Sequence, residues 1–212
     1  YKELFLANTR QSAEAADAVI TVSENSKNDI LRFTDVQEER IHVIAEAPKG
    51  NCKPLPPKLT ADYLFSRYHL RAPFFLYVGG FNERKNVAGL IKAYASICRD
   101  FPYVCPLVII GKEGSRRKKL EELAETLSVT AFLRFPGYVP DHDLPFFYNQ
   151  CQALIYPSFY EGFGLPPLEA AACQTAVVTS NRASLKEVMA DGALYADPGN
   201  TAGLALHLYS LA

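Results

Sequence analysis

The apolar and polar positions of the chain fall into two unequal stretches separated by prolines. In the first, Lys2 to Ala16 is mostly polar with Leu4, Phe5 and several alanines, a helical pattern, and Ala18 to Val22 (AVITV) is a short apolar run typical of a buried strand. Ser23 stands where an N-cap belongs, because its hydroxyl can accept from the free backbone N–H groups that open the helix ENSKNDILRF. Ile41 to Ala45 reads as a second strand. The segment EAPKGNCKPLPPK follows, with four prolines in residues 48–58, a composition that favours an extended linker. The expected organisation is therefore residues 1–47, a linker over 48–58, and a larger domain over 59–212.

Beyond the linker the pattern becomes regular. Phe74 to Val78 is an apolar run ending in Gly79 and Gly80, and Asn86 to Arg99 repeats apolar residues at helical spacing through Val87, Leu90, Ile91, Tyr94 and Ile97. Leu107 to Ile110 predicts a strand, Ser115 to Leu127 a charged helix, Ala131 to Phe135 a strand and Asp143 to Asn149 a short helix. A strand at Ala153 to Ile155, a helix opening at Pro166, a strand at Ala176 to Thr179 and a helix from Ser184 follow. Ala193 to Ala196 and a helix from Asn200 complete the pattern. Strands alternating with helices at this spacing predict an α/β fold, a Rossmann-like parallel sheet with helices on both faces.

In such sheets ligands bind beyond the carboxyl ends of the strands. The chemically suggestive segments all fall there: GGFNERKN, GKEG, PGYVPDHD and the loop within YPSFYEGFGLPPLEAAA. The last is the most pointed. Pro166 and Pro167 suit only a first helical turn, so a helix starts there, and its free N–H groups and positive dipole end make an anion site that the glycines let a phosphate approach. Seven residues separate Glu161 from Glu169, one at each end of this cradle.

Arg84 and Lys85 lie between a strand and a helix, within reach of the same crevice, where a basic pair would neutralise a diphosphate and stabilise it as a leaving group. Taken alone they are ordinary solvated loop charges; their position beside the cradle favours the functional role. Glu169, one turn into its helix, suits the two vicinal hydroxyls of a ribose, or else simply complements the helix dipole. Glu161 is a candidate acid, nucleophile or sugar-hydroxyl acceptor, against the plain alternative of a surface carboxylate. Asp141 and Asp143 form a DxD triplet that can hold a metal against a diphosphate, but at a helix start aspartates cap, and capping is the expected role.

Composition narrows the classes. The 212 residues are 49% hydrophobic and 21% charged with a net charge of −1, ordinary for a globular protein and giving no electrostatic reason to expect nucleic acid as the partner. No apolar run approaches the roughly 20 residues that span a bilayer, and YKELFLANTR has no signal-peptide pattern. Five cysteines without a CxxC pair and four scattered histidines make no metal-ligand spacing, so free thiols and a cytoplasmic location are expected. No GxGxxG follows a strand, and neither a GxSxG elbow nor a Walker A sequence is present.

EGFGLPPLEAAA resembles the E-x7-E motif of the retaining glycosyltransferases of family four, which have the GT-B fold. ADAVITVSENSKNDI, YVGGFNERKN, VIIGKEG, FPGYVPDHDLPFFYNQC and SNRASLKEVMADGALYADP resemble that family in the same order, from Asp17 to Pro198. The form YVGGFNERKN is most similar to bacterial mannosyltransferases that use GDP-mannose. The resemblance implies the C-terminal, donor-binding half of such an enzyme, transferring a hexose from a nucleotide diphosphate sugar (GDP-mannose, with a UDP-sugar as the alternative) to a glycan or lipid-linked acceptor. It implies retention of configuration without a metal or other cofactor, in the cytoplasm or peripheral to the inner face of the membrane.

By the same resemblance Lys85 contacts the diphosphate beside Gly80, and the backbone of Gly162, Phe163, Gly164 and Leu165 holds phosphate and sugar. Glu161 takes sugar hydroxyls, Glu169 the ribose, and Tyr138 and Val139 border the nucleobase. The chain departs from the family at Phe81, where many members carry a phosphate-binding arginine that Arg84 is expected to replace. It departs again at Gln174-Thr175-Ala176, where a Gly-x-Pro turn is usual. Most of an N-terminal acceptor domain is missing from the pattern, and the chain reads as a fragment. Two other readings remain: a glycoside hydrolase using Glu161 and Glu169 as its carboxylate pair, and a non-catalytic nucleotide-sugar-binding module.

Overall fold

The structure, a computed structural model, describes residues 2–101 and 104–212. The N-terminal stretch forms α1 (Lys2–Ala15), β1 (Val19–Thr21), α2 (Glu24–Phe33) and β2 (Ile41–Val43), with β1 and β2 paired in parallel. Ser23 caps α2 as expected, its side chain accepting from the Ser26 N–H. The larger part contains α3 (Pro57–Tyr68), β3 (Phe75–Val78), α4 (Val87–Asp100), β4 (Leu107–Ile110), α5 (Ser115–Thr126), β5 (Leu133–Gly137) and α6 (Leu144–Gln150). It continues with β6 (Ala153–Tyr156), α7 (Leu165–Ala172), β7 (Ala176–Ser180), α8 (Leu185–Met189), β8 (Leu194–Ala196) and α9 (Thr201–Ser210).

Six parallel strands form one sheet in the order β5-β4-β3-β6-β7-β8. Every residue of β3, β4 and β6 is buried, which is why these strands read as unbroken apolar runs instead of alternating ones. Helices cover both faces in two groups: α4 packs with α5 and α9, while α3, α6, α7 and α8 pack in succession. From β3 the chain winds outward to β4 and β5, then returns to place β6 on the other side of β3. Loops leaving β3 and β6 therefore diverge, and the crevice between them is the switch point of the sheet.

Two elements differ from the pattern-based expectation. The helix α3 has no counterpart in it, and begins inside the proline-rich segment with Pro57 in its first turn. Its contacts explain it: Leu64 is buried, Tyr63 stacks on Phe146 with ring centroids 4.0 Å apart, and Tyr68 meets Phe147 edge-on at 4.9 Å. The prolines hold residues 53–56 out of regular structure, yet this segment is packed, not free. The Leu55 N–H donates to Asn149 Oδ1 at 2.8 Å, and Asn149 Nδ2 donates to the Lys53 carbonyl at 3.0 Å. Strand β5 starts two residues later than expected because Thr130–Phe132 forms a 3-10 turn, and only from Leu133 does the chain reach register with Leu107.

Candidate active site

Two loops build the crevice. After β3, Tyr77 turns its hydroxyl back to the Gly80 carbonyl at 2.7 Å and so fixes the Gly79-Gly80 turn. A side chain at Gly111 would place its Cβ 2.4 Å from the Gly79 carbonyl oxygen and 2.5 Å from the Phe81 ring, so glycine there lets the ends of β3 and β4 close together. Phe81, standing where an arginine is usual, thus packs against backbone. A 3-10 turn over Glu83–Lys85 follows, ended by Asn86 in the left-handed region at φ 54°, and delivers Lys85 to the crevice.

The second loop leaves β6 at Tyr156. Gly164 adopts φ 115° and a Cβ there would lie 2.6 Å from Leu185 Cδ2, so both conformation and space demand glycine. Ser184, fully buried at the start of α8, places its hydroxyl 2.9 Å from each of the Glu161 and Phe163 carbonyls and pins the loop from below. From the N-terminal stretch, the hydroxyls of Ser23 and Ser26 reach the Gly162 carbonyl at 2.7 and 3.2 Å. With its carbonyls tied down, the loop keeps the N–H groups of Gly162, Phe163 and Gly164 without a partner among the described residues. Pro166 and Pro167 sit in the first turn of α7 as expected. Because proline has no N–H, the donors facing an anion come from the glycine loop more than from the helix itself.

Lys85 and Glu161 meet across the crevice. Lys85 Nζ donates to Glu161 Oε1 and to the Tyr156 hydroxyl, both at 2.7 Å. The side chains of this ion pair are 14% and 8% exposed, so solvent screens it little. Arg84 is 44% exposed; its Nη1 donates to the Tyr160 carbonyl at 3.0 Å and lies 3.5 Å from Glu161 Oε2. Burial, and after it the charge of Glu161, pushes the phenols of Tyr77 and Tyr156 above their ordinary range, so both stay protonated.

Two cavities share Gly79. One, of about 400 Å³, is bordered by Lys85, Tyr156, Glu161 and the loop from Gly162 to Pro166, with Val22 and Glu46 from the N-terminal stretch on its far wall. The other, of about 630 Å³, extends toward Gly80, Tyr138, Val139 and the start of α5. Lys85, Glu161, Gly162, Phe163, Gly164 and Leu165 are thus brought together, while Gly80, Tyr138 and Val139 line the adjoining space. Arg84 and Glu169 border neither cavity. Glu169 is 4% exposed, its Oε2 accepts from the Tyr148 hydroxyl at 2.9 Å, and burial raises its carboxyl above the usual range.

The DxD pair is divided. Asp141 borders the larger cavity and pairs with Lys49 at 2.5 Å. Asp143 occupies the N-cap position of α6 but its side chain makes no cap bond, contrary to the capping expected of it. Instead it is fully buried and accepts from the hydroxyls of Tyr63 and Tyr68, with Arg67 Nε at 3.1 Å. Gln174, where the usual turn has glycine, takes φ 62°, and the turn closes all the same, the Thr175 N–H reaching the Ala170 carbonyl at 3.1 Å. Tyr156, Ser184, Tyr77 and Tyr148 escaped sequence reasoning. Their one local signal is that two of them, Tyr77 and Tyr156, place a polar tip at the carboxyl end of an otherwise apolar strand.

Residues 67–211 match the family described as glycosyl transferases group 1. The chain is 36% identical over 199 residues to O-antigen chain mannosyltransferase B of Escherichia coli, covering 93% of this chain and 52% of that protein. It is 31% identical over 188 residues to the serotype-specific mannosyltransferase WbdA of E. coli, covering 87% of this chain and 23% of that protein. The chain therefore spans about half the length of the first relative and a smaller part of the second. In fold it is similar to Anabaena Alr3699/HepE, solved in complex with UDP and glucose. That match has a TM-score of 0.85 at 19% identity over 99% of this chain and 57% of that one.

Proposed function

The chain belongs to the group 1 glycosyl transferases, and from that premise we propose that it is the donor-binding part of a retaining hexosyltransferase that moves mannose from GDP-mannose to a glycan or lipid-linked acceptor. The observation that carries the reading is the buried Lys85–Glu161 pair, on one cavity with three loop N–H groups that have no partner among the described residues. A cation and free backbone donors suit a diphosphate, and a carboxylate at the same wall suits sugar hydroxyls. In this reading the bond from the anomeric carbon to the phosphate oxygen breaks as the acceptor oxygen bonds that carbon from the same face. Lys85 and the loop N–H groups stabilise the departing nucleoside diphosphate, whose phosphate takes the acceptor proton. Arg84, tethered at the rim, adds positive potential. Gly80, Tyr138 and Val139 border the nucleoside; Glu169, buried with its Oε2 on Tyr148, takes the ribose only if its other oxygen, Oε1, turns to the nucleoside.

Residues 1–47 would then be the acceptor-side piece and 48–58 the connection to the donor domain over 59–212, at work in the cytoplasm or on the inner face of the membrane. Among the described residues no helix is long and apolar enough to cross a membrane. A hydrolase using Glu161 and Glu169 is disfavoured because the second carboxylate is buried on Tyr148 and borders no part of the cavity of the first. The test is calorimetric titration with GDP-, UDP- and ADP-sugars. GDP-mannose should bind tightest, a UDP-sugar binding tighter would transfer the reading to that donor, and binding of free sugar with no nucleotide dependence would refute it.

A further inference from the structure

The ammonium of Lys85 is not held by Glu161 alone. Its second partner is the hydroxyl of Tyr156, the last residue of β6, 71 positions away and 2% exposed. That hydroxyl accepts from Lys85, and burial, with the charge of Glu161 after it, keeps its own proton in place. Lys85 therefore bridges Tyr156 and Glu161, its ammonium held by both at 2.7 Å. This pair of contacts is braced from outside. Tyr77, at the matching end of β3, stacks on Tyr156 with centroids 6.1 Å apart and an interplanar angle of 17°, and clamps the Gly80 carbonyl. Arg84 Nη1 at 3.5 Å borders Glu161 on its other oxygen, and Glu46 shares the cavity wall.

An ammonium has three N–H donors. Two are taken by Glu161 and Tyr156, so among the described residues one remains, and Lys85 borders the 400 Å³ cavity. A lysine tied only to a carboxylate would be free to swing about that single contact, and its long side chain has many rotamers to lose on binding. We infer that Tyr156 is a positioning residue: its hydroxyl fixes the direction of the one free Lys85 N–H toward the diphosphate, and keeps Glu161 from drawing the ammonium out of the site. This inference rests on the donor-binding reading above. It assigns the preorganisation of Lys85 to a strand-end tyrosine.

The test is a double-mutant cycle. Tyr156→Phe removes the hydroxyl and keeps the ring on Tyr77; Lys85→Ala removes the group on which the hydroxyl acts. Affinity for GDP and UDP is measured calorimetrically on the full-length protein in all four forms, with kcat and KM for transfer from the nucleotide sugar. In the Lys85 background Tyr156→Phe should weaken nucleoside diphosphate binding by about three- to tenfold and lower kcat more than it raises KM. In the Lys85→Ala background the same substitution should change affinity by less than about 1.5-fold, since a hydroxyl acting through Lys85 has nothing left to position. An equal loss in both backgrounds would make Tyr156 a packing residue and overturn the inference, as would no loss in either. Unchanged affinity in Lys85→Ala alone would instead strike the donor-binding reading, and this inference with it.

Discussion

Asp143→Ala should unfasten α3 from α6. The Asp143 carboxylate is fully buried, accepts from the Tyr63 and Tyr68 hydroxyls, and lies 3.1 Å from Arg67 Nε. Hydrogen bonds to a charged acceptor contribute about 1.5–3 kcal/mol each. Both tyrosines are partly exposed and regain some hydration when the acceptor is removed, which sets the pair near the low end. Arg67 is half exposed, so its ion pair adds about 0–1 kcal/mol. The expected loss is about 3–4 kcal/mol, measured by urea unfolding at pH 7, and Asp143→Asn, which keeps shape but not charge, should lose about half as much. The carboxyl is pushed up by burial, but the hydroxyls of Tyr63 and Tyr68 and then Arg67 outweigh this and hold it below its ordinary value. With the folded value depressed, the stabilisation is complete above the unfolded pKa of about 3.9 and is lost as pH falls through the folded one, so the difference from Asp143→Ala should shrink below about pH 4. Both variants within about 0.5 kcal/mol of the parent at pH 7, or a gap to Asp143→Ala that does not narrow at all as the pH falls, would refute the reasoning.

Gly164→Ala should destabilise by about 1–3 kcal/mol and weaken nucleotide binding, because its Cβ would strike Leu185 at an unfavourable φ; a melting temperature equal to the parent would contradict this. Glu169→Gln should weaken ribonucleotide binding by about tenfold and 2′-deoxyribonucleotide binding by clearly less; equal losses in paired titrations would limit Glu169 to its bond with Tyr148. Donor binding should survive EDTA, because Lys85 and the loop N–H groups supply the positive potential; loss with chelator and recovery with manganese would bring Asp141 forward as a ligand.

The sheet was legible because its central strands are buried on both faces and so appear as continuous apolar runs, and because each run ends in glycine or proline. The cradle was legible for a related reason: Gly164, Pro166 and Pro167 have backbone requirements that few other positions could satisfy. What escaped was tertiary. The helix α3 follows three prolines and carries a mixed face, and it is held by Tyr63, Leu64 and Tyr68 against residues some 80 positions away, a distance over which periodicity is silent. Asp143 stands at a cap position but is drawn off it by those same tyrosines. Arg84 follows the strand as an arginine reaching the crevice should, yet the Tyr160 carbonyl holds it at the rim. Tyr156 and Ser184 act on residues more than 20 positions away, so neither bears a local pattern.

The central claim is that Lys85, with the loop from Glu161 to Leu165, forms the diphosphate site of a sugar donor. The most direct measurement is the calorimetric dissociation constant of GDP-mannose for the parent and for Lys85→Ala. Removing a charge-assisted contact worth about 1.5–3 kcal/mol predicts that the constant rises roughly 10- to 150-fold, with free mannose binding unaffected. An unchanged constant for the nucleotide sugar would contradict the account.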